Sequence, residues 1–364
     1  MGISYRREPS FTHGTAPTTA ILYCNLGTPD EPTAAAVRRY LAEFLSDPRV
    51  VEIPRALWLP LLYGVILPIR ASKSAAKYAS IWTTDGSPLR VWTEKQAKLL
   101  QGKLGEQGHR VTVRYAMRYG TPSIASQLDA LKAEGATRIL LLPAYPQYSG
   151  TTTASIVDAV AQWSQSIRNL PEIRIVNRYH DDDAYIGAVA RKIELFWRAN
   201  NRPDHLVMSF HGVPERTLHL GDPYHCECQK TARLIAAKLG LSPQQYTVSF
   251  QSRFGKAKWL EPYTDATLRS LAKTSPRVDV VCPGFTGDCL ETLEEIAMEG
   301  KHAFLTAGGK EMRYIACLND DPGGIAALAG VAQRHLAGWP TLEAPDADAL
   351  ARSRAQALAK GAAR

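Results

Sequence analysis

Residues 204–217 read DHLVMSFHGVPERT, a short apolar run that ends in a loop containing Gly212 and Pro214. An apolar run of this length, closed by turn-forming residues, is typical of a strand that is buried on both faces of a sheet. Stretches with helical periodicity separate most such runs, and this alternation predicts an α/β fold built from parallel βαβ units. The other runs lie at 19–27, 110–117, 138–145, 173–179, 246–252, 278–284 and 313–319.

The order of these elements predicts two domains. A chain of 364 residues is long enough for two domains of ordinary size, and about four apolar runs fall on each side of Pro171. Ligands bind beyond the carboxyl ends of strands in doubly wound sheets, so we expect the chemistry in the strand-terminal loops. The predicted units are a flexible lead at 1–18, two doubly wound parallel-sheet domains at 19–170 and 171–330, and a helix or tail at 331–364.

Composition and charge exclude several classes of protein. With 45% hydrophobic and 21% charged residues, the chain is not disordered. Its net charge of +8 favours an anionic partner, either nucleic acid, an acidic membrane surface or a carboxylated small molecule. The positive charge is dispersed and accompanies no nucleic-acid motif, so we expect no nucleic-acid binding. Six cysteines in a chain without an apolar N-terminal signal predict a reducing cytoplasm.

The longest apolar run is residues 56–69, ALWLPLLYGVILPI. It contains two prolines and is shorter than the roughly 20 residues that a membrane-spanning helix needs. If exposed, such a run would contact a membrane surface, another subunit or a flat apolar ligand. The alternative is that it packs in the protein core.

Two patterns carry candidate chemistry. His211 directly follows an apolar run, so its imidazole is expected at the carboxyl end of a strand. On a helix, the spacing of Asp288, Glu291, Glu295 and Glu299 puts four carboxyl groups on one face. This face is either a solvated acidic surface or a row of oxygen ligands and proton acceptors. One imidazole with carboxylates suits a divalent cation such as ferrous iron.

Other familiar site motifs are absent from the sequence or incomplete. The chain has no P-loop, no GxGxxG after a strand and no GxSxG. The HCEC sequence at 225–228 lacks a second cysteine pair that would complete a four-ligand metal site. Cys289 lies next to the acidic residues, where either a thiolate ligand or a buried helical cysteine is compatible with the sequence.

Together these motifs resemble the ferrochelatase family, whose members insert ferrous iron into protoporphyrin to make protohaem. The resemblance covers about residues 20–329 and is specific because many separate motifs match. These motifs are LYCNLGTPDEP (22–32), DGSPLRVWTEKQ (85–96), AMRYGTP (116–122), PAYPQYSGTTT (143–153), SFHGVPERT (209–217), GDPYHCECQ (221–229), QSRFGKAKWLEPYTD (251–265) and GFTGDCLETLEE (284–295).

The resemblance implies a chelatase-like fold, with a cleft between two similar domains. It also implies that His211 and Glu291 are the catalytic residues and contact the metal. The expected path for protons or metal runs along Asp288, Glu295 and Glu299. The predicted substrate-binding residues lie near the macrocycle or in the apolar lip over the mouth of the cleft. They are Arg118, Tyr119, Trp259, Trp58, Leu62 and Arg70.

The expected substrates are protoporphyrin IX and ferrous iron, and no resident cofactor is expected. Family members with an iron–sulfur cluster use a C-terminal cysteine group, and no cysteine follows Cys317 here, so we expect no cluster. The predicted location is the cytoplasm, with peripheral contact to the inner membrane through residues 56–69. The alternatives are a coproporphyrin or cobalt chelatase of the same fold and a non-catalytic porphyrin or haem carrier. The residues leave the oligomeric state open.

Overall fold

The computed structural model describes residues 5–363 and contains two parallel four-stranded sheets flanked by helices. The strands are β1 (Thr18–Gly27), β2 (Val111–Tyr119), β3 (Ala136–Pro143), β4 (Glu172–Ile175), β5 (His205–His211), β6 (Tyr246–Gln251), β7 (Arg277–Val281) and β8 (Glu311–Ile315).

The α-helices are α1 (Ala34–Leu45), α2 (Arg55–Leu61), α3 (Leu67–Ile81), α4 (Pro88–Glu106), α5 (Ile124–Ala133), α6 (Ser155–Ser164), α7 (Asp183–Asn200), α8 (Glu215–His219), α9 (Tyr224–Lys238), α10 (Thr264–Leu271), α11 (Lys301–Thr306), α12 (Pro322–Leu336) and α13 (Ala347–Ala359). Among the described residues, three segments are π-helical, at Leu62–Ile66, Gly150–Ala154 and Glu291–Gly300, and Pro243–Gln245 forms a 3₁₀ turn.

Both sheets have the same strand order. The first runs β2-β1-β3-β4 and the second β6-β5-β7-β8, and all neighbouring strands are parallel. The α/β prediction of two similar doubly wound parallel sheets is therefore confirmed.

Strand β1 shows how the sheets are buried on both faces. Ile21 and Tyr23 point into a large core between the two sheets, whereas Ala20, Leu22 and Cys24 pack on the other side with residues of α5 and α6. This alternation is the two-residue period of a strand, and it explains why every residue from Ala20 to Cys24 is apolar.

The central core joins the two halves. Side chains of β1 and β3 meet those of β5 there, and α4, α7, α9 and α12 contribute to the same cluster. The loops at the carboxyl ends of the two sheets are also bonded to each other. The hydroxyl of Tyr23 lies 3.1 Å from that of Thr286, which donates to the Ala144 carbonyl at 3.1 Å.

The elements do not respect the predicted boundaries at residues 170 and 330. β4 pairs with β3 in the register Arg138↔Glu172 to Leu141↔Ile175, so the first sheet ends after the expected boundary. α12 continues past residue 330 and packs against α4 and α7. The sequence pattern could place neither feature, because it shows where a strand is but not which sheet it joins.

Part of the expected flexible lead is bonded to the first half. Arg6 pairs with Asp129, and Glu8 pairs with Lys132. This hydrogen bond with Lys132 is the main reason that the pKa of Glu8 falls to about 2. The described part of the lead is therefore held against the first half, whereas the sequence predicts a flexible segment. Residues 1–4 lie outside the described residues.

Candidate active site

The apolar lip, residues 56–69, consists of most of α2, the first π-helix and the start of α3. Trp58 and Leu62 were predicted to bind substrate, but both are buried and pack with Leu45 and Leu67. Trp58 Nε1 donates to the Leu45 carbonyl at 2.7 Å. These two residues therefore anchor the lip rather than line its outer face. The large apolar side chains on that exposed face are Leu57, Leu61, Tyr63, Val65 and Ile69.

His211 is the last residue of β5, where the sequence predicts it. Its Nδ1 lies 2.6 Å from the carbonyl oxygen of Gly212. Because a carbonyl only accepts hydrogen bonds, Nδ1 carries the proton in the neutral ring and Nε2 keeps its lone pair. Nε2 is thus the atom that can take a proton or bind a metal ion.

Glu291 and Glu295 lie on the longest π-helix, Glu291–Gly300. Glu295 accepts hydrogen bonds from the backbone N–H of Ser252 at 2.6 Å and from its hydroxyl at 2.5 Å. Burial raises the pKa of Glu295, and so does the charge of Glu291, while the Ser252 bonds and the charge of His211 act in the opposite direction. The structure therefore brings His211, Glu291 and Glu295 into one electrostatic cluster.

Two residues that the sequence analysis did not select hold this cluster in place. Gln251 donates through Nε2 to the backbone carbonyl of Glu291 at 2.7 Å, and its Oε1 accepts from Ser209 at 2.7 Å. Ser252 has a φ of 67°, an unusual value for a residue other than glycine. Both lie at the end of β6 in the QSRFG segment, a position that could have marked them.

Glu299 lies at the outer end of the same helix and is mostly exposed. It lines a cavity of about 380 Å³ together with Glu295, Ser252 and residues of α10. Glu295 and Glu299 therefore line the same cavity, and Glu299 is the more exposed of the two.

Asp288 does not belong to this row. It lies in the loop before the helix, is buried, and accepts from Tyr314 at 2.5 Å, Asn319 at 2.6 Å and Thr292 at 3.1 Å. These bonds tie the loop to the end of β8, so the predicted place of Asp288 in the path is corrected to a structural one. The three-residue offset suggested a shared helical face, but the helix begins only after Asp288.

Aromatic residues connect His211 to the lip. The centroids of the His211 and Trp259 rings are 6.5 Å apart, and Trp259 packs edge-on against Phe254 at 4.9 Å. The exposed guanidinium of Arg70 on α3 lies 5.4 Å from the centre of the Phe254 ring. Trp259, Phe254 and Arg70 therefore form a row of contacts from His211 to the lip.

Arg118 and Tyr119 end β2 and share one buried partner, Asp47. Arg118 Nη2 donates to Asp47 Oδ2 at 2.7 Å, and the Tyr119 hydroxyl donates to the same oxygen at 2.8 Å. Burial opposes ionisation of Asp47, but its hydrogen bonds, chiefly from Ser155, hold its pKa below the usual value. The charge of Arg118 is thus already balanced within the protein.

Tyr145 follows β3 and lies near this group. Its hydroxyl is buried and finds no hydrogen-bond partner in residues 5–363. Burial raises its pKa, with smaller contributions from Tyr119, Cys24 and Glu291. Tyr145 therefore contributes a buried, neutral hydroxyl without a hydrogen-bond partner in the described residues.

The cysteines near the site differ in burial, and the one closest to Glu291 is protonated. Burial raises the pKa of the Cys289 thiol, with Glu291 adding to the effect, so this side chain is a neutral thiol rather than a thiolate. Cys226 is exposed and Cys228 is buried on α9. Within the described chain, no group of three or more His, Cys, Asp and Glu side chains could hold a resident metal ion.

Comparisons with known proteins point to one family. A family model described as Ferrochelatase matches residues 18–336. The ferrochelatase of Polaromonas sp. (strain JS666) is 67% identical over 367 residues, which cover all of both chains. That of Methylibium petroleiphilum is 67% identical over 352 residues, or 96% of each chain.

Solved structures share the fold at low sequence identity. The structure of SirB from Bacillus subtilis with Fe3+ superposes with a TM-score of 0.52 and 13% identity, covering 88% of this chain and 96% of that one. CbiX, described as the terminal enzyme for siroheme biosynthesis in denitrifying bacteria, gives a TM-score of 0.50 and 14% identity, covering 87% and 100%. These likenesses confirm the chelatase-like fold.

Proposed function

Since this chain belongs to the ferrochelatase family and inserts ferrous iron into protoporphyrin IX to make protohaem, we propose that His211 and Glu291 carry the central chemistry. The reaction places one Fe²⁺ in the ring and releases the two protons of the pyrrole N–H groups. It transfers no electrons, so it requires no redox cofactor. The groups that it requires are a base for the protons and oxygen or nitrogen ligands for the incoming metal.

The free lone pair on His211 Nε2 is the observation that supports this role most directly. The bond from Nδ1 to the Gly212 carbonyl fixes both the tautomer and the plane of the ring. Nε2 can therefore accept a pyrrole proton without first losing one of its own. Positioned bases of this kind contribute about 10²- to 10⁴-fold to a rate.

Glu291 is proposed to face the metal together with His211, and Glu295 to take protons onward. The raised pKa of Glu295 lets this carboxyl bind and release a proton closer to neutral pH than an exposed glutamate can. From Glu295 the protons pass toward Glu299 and the cavity that opens there. Asp288 has no part in this route.

The macrocycle is proposed to enter past the exposed apolar face of the lip. Bending the ring costs about 1–5 kcal/mol, and burial of apolar surface at about 25 cal/mol per Å² offsets it. Arg70 stands at the mouth without a carboxylate partner in residues 5–363, which suits a propionate. Arg118 and Tyr119 are held by Asp47, and the buried Tyr145 hydroxyl has no hydrogen-bond partner in residues 5–363.

The exposed lip also supports a peripheral membrane location. No helix in residues 5–363 combines the length and apolarity needed to cross a bilayer. Exposed apolar side chains beside Arg55 and Arg70 would instead rest on the acidic surface of the inner membrane, from which an apolar porphyrin could be collected. The same face favours protoporphyrin over a substrate with four carboxylates.

Anaerobic insertion of ferrous iron into protoporphyrin IX, followed by absorbance, tests the assigned roles. We expect multiple turnovers by the native chain and at least about a 10²-fold lower kcat for His211→Ala and Glu291→Gln. Both variants should still quench porphyrin fluorescence on binding. Near-native turnover by either folded variant would reject the role of that residue.

A further inference from the structure

A lysine of α3 joins two carboxylates of the long π-helix. Lys77 Nζ lies 3.0 Å from the Glu294 carboxylate and 2.8 Å from Glu299 Oε1. Only 10% of the Glu294 side chain is exposed, and Lys77 is its ion-pair partner. Lys77 and Glu294 have no part in the reaction proposed above, so the bridge needs another explanation.

The spacing of the two acids ties this bridge to one kind of helix. In an α-helix each residue turns the chain by about 100°, so residues five apart point about 140° away from each other. A π-helix bonds each N–H to the carbonyl five residues earlier, which places Glu294 and Glu299 on adjacent turns of one side. A single ammonium group reaches both carboxylates in this winding, whereas α-helical winding would separate them.

The length of the π-helix makes such support necessary. π-helices occur mostly as single turns within α-helices, whereas this one spans ten residues and continues directly into α11. Its first turn is held by Gln251 at the Glu291 carbonyl, and its middle by Ser252 at Glu295. The Lys77 bridge is the corresponding contact at its outer end.

We propose that Lys77 is a positioning residue for iron insertion, which holds residues 291–300 in the π-helical winding by tying Glu294 to Glu299. The inference rests on the proposed function, because it assumes that Glu291 and Glu295 work with His211. With α-helical winding, each of the acids four residues apart would turn by about 40° from the one before. A change from π- to α-helical winding would also rotate Glu295 and Glu299 relative to Glu291, and so move them away from their present partners Ser252 and Lys77.

Replacement of Lys77 by an uncharged side chain of similar length tests this proposal. We expect Lys77→Met to lower kcat/KM for ferrous iron about tenfold, which corresponds to about 1.4 kcal/mol of transition-state free energy. Porphyrin affinity, measured by fluorescence quenching, should stay within about twofold, because Lys77 lies about two helical turns beyond Arg70 on α3. Lys77→Arg should keep most of the activity, since a guanidinium can bind two carboxylates.

A matched control separates this effect from the loss of any surface ion pair. Lys98 pairs with Glu94 on α4, and Lys98→Met should leave iron insertion unchanged. A crystal structure of Lys77→Met should show α-helical bonding within residues 291–300. If Lys77→Met does not fold, Glu294→Gln breaks the same bridge from the other side and should give a similar loss.

Two results would overturn the inference. One is wild-type kcat/KM for iron in folded Lys77→Met, or in Glu294→Gln if that variant replaces it. The other is a lower kcat/KM with the π-helix intact in the variant structure. The roles of His211 and Glu291 are judged separately, from their own variants. If those variants lose activity while Lys77→Met behaves like the wild type, only the proposed role of the Lys77 bridge is rejected.

Discussion

At the residue scale, the orientation of one imidazole and the environment of one carboxyl define the site. His211 donates from Nδ1 to its own loop, so the orientation of Nε2 is set by local backbone geometry rather than by a second side chain. The carboxylate of Glu295 is held in place by two hydrogen bonds from Ser252, a residue with an unusual backbone conformation. Strained backbone of this kind persists where the surrounding structure over-determines it.

The raised pKa of Glu295 predicts a pH dependence of stability. The folded protein keeps this proton in a pH range where the unfolded chain has already lost it, so the native state binds more protons. The contribution of Glu295 to stability therefore falls as pH rises from the usual glutamate value of 4.5 toward the raised one. Glu295→Gln should remove this contribution, which urea unfolding at about pH 5 and about pH 8 would detect. An identical pH dependence in the variant and the native chain would contradict the prediction.

The residues that sequence reasoning located correctly share one property, which is that a local pattern reveals them. His211 follows an apolar strand, and the structure places it at the end of β5. Asp288 and Trp58 fit local patterns too, but their surroundings are made by distant segments. Tyr314 and Asn319 donate hydrogen bonds to the carboxylate of Asp288, and the carbonyl of Leu45 accepts one from the indole N–H of Trp58. Sequence spacing carries no information about such partners.

At the element scale, the lip shows how adjacent residues take opposite roles. The sequence identifies an apolar segment but not which side chains face outward, because the segment changes from α2 to a π-helix and then to α3. Each change of winding shifts the phase of the helix. As a result Leu61 is about half exposed, whereas the next residue, Leu62, is fully buried.

This contrast predicts different effects of two neighbouring substitutions. Leu62→Ala should lower the free energy of unfolding by about 2–5 kcal/mol, because it leaves a cavity among Leu45, Trp58 and Leu67. Leu61→Gln should change it by less than about 0.5 kcal/mol but weaken binding to anionic phospholipid vesicles about fivefold. Urea unfolding and vesicle sedimentation measure the two effects. Equal vesicle binding by Leu61→Gln and the native chain would exclude this face as the membrane contact.

At the scale of the whole molecule, the two sheets depend on one core. The repeated strand order could be expected from the alternation of strands and helices, since parallel βαβ units are built in this way. The shared core could not, because the apolar faces of α7 and α12 do not show which sheet they cover. α12 follows the last strand of the second sheet but packs against α4 of the first half. A helix near the C-terminal end of the chain therefore closes the molecule by packing on the N-terminal half.

This closure predicts how much of the C-terminus can be removed. Removal of residues 345–364 deletes α13, which has no buried residue, and should change the free energy of unfolding by about 1 kcal/mol or less. Removal of residues 322–364 also deletes Leu328, Val331 and Leu336 from the shared core and should leave no stably folded protein at 25 °C. Circular dichroism during urea titration distinguishes the two chains. Because α12 contributes to a core made by both sheets, its loss should unfold both halves together. A cooperative urea-unfolding transition in the shorter chain would contradict this and would mean that the first half folds independently.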